Sequence, residues 1–445
     1  MKKFKYILVL GMGMVTGIVL GQNTAPTAEV MTLQKAIETA LVNNYDLKIA
    51  GNTLEQARNN NSVGNAGLLP SISLNGGAEY ASNDTEMEFN GAGSSGVVTV
   101  DGAESVSYNA AARIDYTLFD GFGNVYTYKK LKQTNKMQET LYRQQMELSV
   151  MQVVNNYYEV CRAQQNLNLA NESMRISRER YSRAKDQKAY GQANQLDLLN
   201  AEVDMNSDSM FILQSEQSLL MSVKNLNVVM GIPVQEVYQI DESITFRNDL
   251  TADKVLAGVM MNNSGLLSQQ QQEVITHTNL KITQAAKYPS LSAYGQYGYS
   301  RQDNDAGQLL YNQNLGTSAG VSMKFNVFNG RQQHTREQNA KLDLASQQER
   351  SRQFHAELER DAANAYTDYA YKRRMVDLQQ ASLKQAKLNF DQTKEMFQLG
   401  RVTSIEFRTA QQNLLNVANN YNDARFQAKT AEYNLLKLTG ELIKE

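Results

Sequence analysis

Two acidic residues stand at matching positions of this chain and offer its clearest chemistry. Asp197 follows Gly191 by six residues, and Glu406 follows Gly400 by the same six. A glycine of this kind is suited to ending one helix, so each acid would fall in the first turn of the next helix. There a carboxylate interacts favourably with the helix dipole, and an exposed one also attracts cations. The residues by themselves leave both roles open.

Residues that could support catalysis are scattered. His277, His334 and His355 lie in different segments, and the single cysteine, Cys161, has no histidine near it in sequence. The chain contains no zinc-protease motif, phosphate-binding loop or nucleophile elbow. We therefore predict no enzymatic activity, no metal site and no cofactor. Cys161 is interpreted as a small buried helix residue, and a lone cysteine forms no disulfide within the chain.

The elements that must position the two acids occur twice. Residues 116–121 recur as 325–330, an offset of 209 residues, and the two glycine turns and the two acids keep the same offset. Upstream, residues 69–73 match 288–292 at an offset of 219, so the copies differ by ten residues between these motifs. Two long copies predict a pseudo-two-fold molecule. We place the first repeat at residues 22–245 and the second at 246–445.

The N-terminus and the composition restrict the location of the protein. Residues 1–21 have a basic start, an apolar run and a small residue at the end, as in a cleaved signal peptide. No later stretch approaches the roughly 18 to 20 apolar residues of a membrane helix, so strands would have to span any membrane. The formal charge of −2 offers no basic field for nucleic acid.

Two segments without glycine or proline, residues 124–190 and 331–399, predict rods on the order of 100 Å. Apolar residues step by three and four along the last segment, from Leu414 to Leu438, as in a coiled-coil seam. We therefore predict two helical hairpins. Their long helices span 122–190 and 331–399, and their return helices span 194–230 and 403–440.

Each repeat is also predicted to begin with one helix, followed by a β-hairpin at 70–120 or 289–329. The strands would have about ten residues each, with one apolar and one polar face, and the loops would lie at 83–102 and 301–313. Four strands cannot close a membrane barrel, and an open edge in lipid is forbidden. The chain must then oligomerise, and three copies would supply twelve strands around an aqueous pore.

At this point the chain resembles the TolC family of outer membrane efflux proteins over nearly its whole mature length. The resemblance rests on the order and duplication of several motifs, none specific alone: Thr32-Leu33 with Ala36, Ala40-Leu41 and Asn44; Leu69-Pro70-Ser71; Phe119-Asp120-Gly121; Phe328-Asn329-Gly330; and the two glycine turns. It implies an α+β membrane protein with four transmembrane strands per chain and long coiled-coil hairpins. The expected assembly is a homotrimer with a twelve-stranded β-barrel in outer membrane lipid and a periplasmic helical barrel.

The resemblance also implies a function and partners. Such a channel-tunnel conducts substrates out of a Gram-negative cell from a periplasmic adaptor protein and an inner-membrane pump, in efflux or type I secretion. Adaptor docking is expected at the turns, at Tyr190, Gly191, Leu399 and Gly400. Drugs, metal ions and secreted proteins all remain possible cargo.

By the same resemblance, Glu406 and Asp197 would lie at the pore constriction of the periplasmic tip, where the acids of the second repeat form a ring in well-known members. Three carboxylates around a narrow axis favour cations and raise one another's pKa. The sequence departs from the family pattern at Thr409, where a second acid is common. It departs again at Phe397 and Val402, where tyrosine and arginine tether the helices in well-known members.

Two other protein classes fit part of the pattern. A secreted coiled-coil scaffold or adhesin stalk without a pore would need the rods but not membrane-length strands. A periplasmic adaptor also carries a helical hairpin, but only one, flanked by lipoyl-like and small barrel domains. The two hairpins and the four strands favour the channel.

Overall fold

A computed structural model of the protein describes residues 30–89, 96–191, 194–306 and 309–443. The predicted signal peptide at 1–21 lies outside these ranges. The elements follow one another in the order β1 (Val30–Met31), α1 (Leu33–Asn43), α2 (Tyr45–Asn60), β2 (Ser71–Phe89), β3 (Gly96–Phe119), α3 (Gly123–Ala189), α4 (Gln195–Met230), β4 (Gln239–Ile240), α5 (Ala252–Asn262), α6 (Ser264–Ala285), β5 (Ser290–Asn304), β6 (Tyr311–Lys324), α7 (Gln332–Gln398) and α8 (Ser404–Leu438).

The helical hairpins have nearly identical dimensions. Helices α3 and α7 contain 67 residues each, and the return helices α4 and α8 contain 36 and 35. All four begin and end within two residues of the predicted positions. The predicted seam of α8 is packed, since Ala428 and Leu435 are fully buried. None of the helices in the described part of the chain has the length and apolarity needed to cross a membrane.

Each repeat begins with two helices rather than the single helix that we predicted. Asn44 and Asn263 separate the two helices of each pair. Each asparagine side chain caps the second helix by accepting an N–H of its first turn, that of Leu47 or Leu266.

The same two asparagines close each repeat on itself. The Asn44 amide donates to the carbonyl of Val229 over 2.8 Å, and Asn263 donates to Leu438 over 3.0 Å. A side chain on the nearby Gly231 or Gly440 would collide with the backbone of residue 43 or 262. We call the Asn44–Val229 and Asn263–Leu438 hydrogen bonds the repeat clasps.

The segment between the repeats, residues 232–251, lies across three long helices. Tyr157 of α3 donates to the carbonyl of Asp241 over 2.6 Å, and Tyr369 of α7 donates to that of Arg247 over 3.0 Å. The Arg247 N–H in turn donates to Glu432 of α8, which is fully buried. These hydrogen bonds anchor the segment to both repeats at the middle of the rods.

The four long strands form one antiparallel sheet in the order β2-β3-β5-β6. Successive side chains of a strand point to opposite faces of the sheet, and apolar and polar residues alternate along these strands. The sheet therefore has one polar face and one apolar face, which we call the outer face. Ile72 and Leu74 lie on it, paired with Ile114 and Ala112, and β5 adds Leu291 and Tyr297. The opposite face carries mainly serine, asparagine, glutamine and glycine.

The strands are longer than the ten residues that we predicted. They contain 19, 24, 15 and 14 residues, and most of the expected loop at 83–102 is paired backbone. The pairing passes a register shift at Asn83/Thr85, beside which Asp84 accepts the N–H of Gly102. The prediction was wrong because ladder hydrogen bonds and the β-branched Val97, Val98 and Val100 outweigh the loop-like glycine and serine composition.

Candidate functional site at the helical tips

Both hairpins turn through a glycine in the left-handed conformation. Gly191 has φ +72° and Gly400 has φ +69°, and a Cβ on either would meet no atom within 4 Å. The glycines are therefore required by backbone conformation and not by crowding. After Gly400, the N–H of Arg401 donates to Met396, and that of Gly400 to Phe397, in a Schellman arrangement.

Glu406 belongs to a complete capping box at the start of α8. Its carboxylate accepts the N–H of Thr403 over 2.7 Å, and the Thr403 hydroxyl accepts the N–H of Glu406 over 3.2 Å. These hydrogen bonds, from the backbone first, lower the pKa of Glu406 from its usual value. Within one chain the carboxylate is exposed and stabilises the start of α8.

Asp197 occupies the same position of α4 with different contacts. Asn194 caps this helix by accepting the N–H of Asp197 over 2.9 Å, while the Asp197 carboxylate makes no hydrogen bond to the described residues. It lines a cleft between α4 and α8, together with Ile405 and Arg408. No described contact joins Asp197 to Glu406. The predicted docking residues Tyr190 and Leu399 are 81% and 69% exposed, so both are accessible at the tips.

An aromatic stack fills the tip of the second hairpin. The Phe397 ring lies parallel to Phe407 at 4.7 Å, and Phe390 follows at 5.6 Å from Phe407. Arg183 of the first hairpin lies over Phe397 at 5.0 Å and donates to the carbonyl of Gln398 over 2.8 Å. Phe397 thus contacts the other hairpin without a tyrosine hydroxyl.

A second connection between the hairpins lies deeper and is made of charges. Arg408 of α8 binds both carboxylate oxygens of Asp208 on α4, over 2.8 and 2.9 Å. Ser177 of α3 donates to the same carboxylate. One turn away, Arg180 pairs with Asp204.

Burial makes this cluster sensitive to the loss of any member. Arg180 and Asp208 are 2% and 6% exposed. Burial alone would raise the pKa of Asp208, but the hydrogen bonds from Arg408 and Ser177 outweigh it and hold that pKa below its usual value. Burial lowers the pKa of Arg180, and Asp204 opposes this effect. The cluster therefore ties α8 to the first hairpin by paired ions that are shielded from water.

Sequence reasoning missed this cluster. Asp208 lies three residues after Met205 and shares its heptad position with Ser215 and Ser222. The sequence alone therefore places an acid in the coiled-coil seam of α4. An acid at such a position needs a buried partner. Residues 30–89, 96–191, 194–306 and 309–443 contain no group of three or more His, Cys, Asp or Glu side chains that could hold a metal ion.

The chain matches a known protein family in both of its repeats. The sequence model of the family described as "outer membrane efflux protein" matches residues 36–232 and 259–441, one range in each repeat. The chain belongs to the outer membrane efflux protein family. It is accordingly an outer membrane channel of the efflux or secretion type, with its helices extending into the periplasm of a Gram-negative bacterium.

Individual members of the outer membrane efflux family are similar to this channel at low identity. The cation efflux system protein CusC of Escherichia coli O6:H1 is 23% identical over 424 residues, covering 91% of this chain and 85% of CusC. The proteases secretion protein PrtF of Dickeya chrysanthemi is 22% identical, covering 94% and 89%. The crystal structure of the Campylobacter jejuni CmeC outer membrane channel has the same fold, with a TM-score of 0.74 at 19% identity over 92% of this chain and 86% of CmeC.

Proposed function

We propose that three copies of this chain close into a twelve-stranded barrel that continues as a helical tunnel and conducts cargo out of the cell. One observation carries the proposal. Strands β2 and β6 are the edges of the sheet and have only one partner strand each within the described chain. Lipid tolerates no open sheet edge, so β2 of one copy must pair with β6 of another. Two copies would give a ring too narrow for a channel, and three give an aqueous pore.

The helical part supports the same assembly. Helix α4 carries a stripe of exposed apolar residues at coiled-coil spacing, namely Leu196, Leu199, Val203, Met210, Leu213 and Leu220. Helix α7 exposes Tyr371, Met375 and Leu378 in a similar way. Large apolar stripes of this kind mark contact surfaces, and a neighbouring copy would cover both.

Single-channel recording tests the conduit directly. The purified oligomer, added to one side of a planar bilayer, is expected to give discrete conductance steps with a preference for cations. A coiled-coil scaffold without a pore would give no steps from an oligomer whose trimeric mass has been confirmed.

The cation preference is proposed to come from Glu406 at the tip, together with Asp197. Glu406→Gln is a sharp test, because glutamine also fits the capping box and only the charge is lost. We expect a lower cation preference and weaker block by divalent ions. Asp423→Asn, further along the same helix and paired with Arg162, is the control. Equal ion selectivity in wild type and Glu406→Gln would refute the ring.

We further propose that the tips dock a periplasmic adaptor that is bound to an inner-membrane pump. Any side chain at Gly191 or Gly400 would strain a left-handed turn, so the exposed neighbours give a cleaner test. Tyr190→Ser with Leu399→Ser is expected to abolish export while trimers persist. Loss of the trimer would assign these residues a structural role.

The cargo is proposed to follow from the pump behind the channel. The similar proteins are named for two unlike cargoes, cations for CusC and proteases for PrtF. A shared conduit architecture therefore serves different substrates, and selection takes place upstream of the tip.

A further inference from the structure

A pocket with aromatic walls lies at the rim where the sheet meets the helices. It opens where β3 passes into α3 and α6 passes into β5, and Phe119, Phe122, Tyr126, Lys281 and Tyr288 line it. The Phe119 and Phe122 rings meet edge to face at 5.4 Å. Phe122 is 59% exposed although its backbone is left-handed, with φ 68°, a conformation that is unfavourable for a bulky residue.

The strand register places Phe119 of this rim on the outer, apolar face of the sheet. The pairing shifts between Thr117 and Phe119, so that Phe119 stands opposite Leu291. Leu291 lies on the outer face of the sheet, and the shift therefore moves Phe119 onto that face. Phe119 is accordingly placed where aromatic side chains border a bilayer. The exposed Tyr288 lines the same pocket.

Lys281 places a cation in the pocket without an anion to balance it. Its side chain is half-buried and forms no ion pair or hydrogen bond with the described residues. Lys287 and Lys341, by contrast, both pair with the buried Glu337. Lys129 lies over the Tyr126 ring at 5.3 Å and adds a second positive charge at the pocket.

The charge around the pocket is one-sided. Residues 123–138, 275–288 and 331–342, which approach this end of the sheet, contain nine Lys and Arg residues and one acid. Residues 79–89, 96–104 and 301–305, towards the opposite end, contain eight acids and one Arg. Lysines close to a membrane surface attract anionic headgroups. The attraction would act only at the periplasmic rim.

We propose that this rim pocket binds an anionic glycerophospholipid of the inner leaflet of the outer membrane. The Lys281 ammonium pairs with the phosphodiester, Lys129 adds to the attraction, and the rings of Phe119, Phe122 and Tyr126 pack against the glycerol and upper acyl chain. The inference rests on the membrane placement of the sheet, and it assigns the pocket to a lipid and not to free phosphate.

Native mass spectrometry of the intact oligomer tests the assignment. The delipidated protein is mixed with equal amounts of phosphatidylglycerol and phosphatidylcholine in detergent. We expect phosphatidylglycerol to bind in preference, Lys281→Gln to lower its occupancy at least fivefold, and Lys281→Arg to retain it. Lys224→Gln, an exposed lysine of α4 far from the rim, is the matched control.

Three results would overturn the proposal: equal binding of the two lipids, an unchanged occupancy in Lys281→Gln, or displacement of phosphatidylglycerol by inorganic phosphate at constant ionic strength. Conductance is recorded from the same preparations. Normal channels without lipid preference refute the lipid site alone, whereas failure to form channels would refute the conduit.

Discussion

The two helical hairpins have the same backbone and different interiors. Both combine a 67-residue helix with a return helix of about half that length around a left-handed glycine. Near its tip the first hairpin encloses serine, aspartate and arginine, whereas the second encloses the Phe390, Phe397 and Phe407 stack. The repeat thus preserves length, turn and clasp, while the seam chemistry diverged. Because its seam is polar, the first hairpin can bind Arg408 of the second hairpin through Asp208.

The largest expected effect comes from the aromatic seam. Phe407→Ala removes a ring that is 4% exposed and stacked on two others, and we expect a loss of about 3 to 5 kcal/mol of unfolding free energy. Leu198→Ala at the matching position of α4, where the side chain is only half-buried, should cost clearly less. Thermal melting followed by circular dichroism compares the two variants, and equal losses would contradict the contrast between the seams.

The charged seam gives the next effect. Asp208→Asn leaves the buried end of Arg408 without its carboxylate, and we expect destabilisation of about 3 kcal/mol, since removing one partner of a buried pair is costly. The control is Asp423→Asn, whose ion pair with Arg162 is substantially exposed, and its loss should be below about 1 kcal/mol. Similar melting temperatures for the two variants would show that the Asp208 cluster is not shielded from solvent.

The clasps should behave alike in the two repeats. Asn44→Ala and Asn263→Ala each remove one helix cap and one hydrogen bond to a return helix, a loss of about 1 to 2 kcal/mol. Hydrogen exchange at the ends of α4 and α8 measures the effect locally. Faster exchange in one repeat only would show that the clasps are not equivalent.

The smallest expected effect is a difference in pH dependence between the starts of α8 and α4. The pKa of folded Glu406 is lowered, so its stabilisation is present above the unfolded value of about 4.3 and is lost as pH falls through the folded value. Amide exchange in the first turn of α8 should therefore accelerate in acid relative to α4, where the Asp197 carboxylate makes no capping contact. Glu406→Gln should remove this pH dependence, and persistence in that variant would assign it to another group.

Short sequence patterns predicted the positions of the long helices, whereas contacts between helices distant in sequence were not predicted. Glycine, an Asn or Thr cap and an uninterrupted helix-forming run fix α3, α4, α7 and α8 almost by themselves. Asp208 was recognisable as an acid in a seam, but its partner Arg408 comes from another hairpin, so only the packing of α3 against α8 reveals the pair. The four strands were predicted at their positions, and only their length was underestimated. Ladder hydrogen bonds to the partner strand and the β-branched Val97, Val98 and Val100 extend β2 and β3 into the segment predicted as a loop.

Each clasp joins residues far apart in the chain, 185 residues for Asn44 with Val229 and 175 for Asn263 with Leu438. Contacts of such long range form late, because the closure of a long loop precedes any gain from the contact. A chain that crosses the inner membrane N-terminus first delivers Asn44 long before Val229. We therefore expect the first repeat to stay open until Val229 has emerged, and the second until Leu438 has emerged.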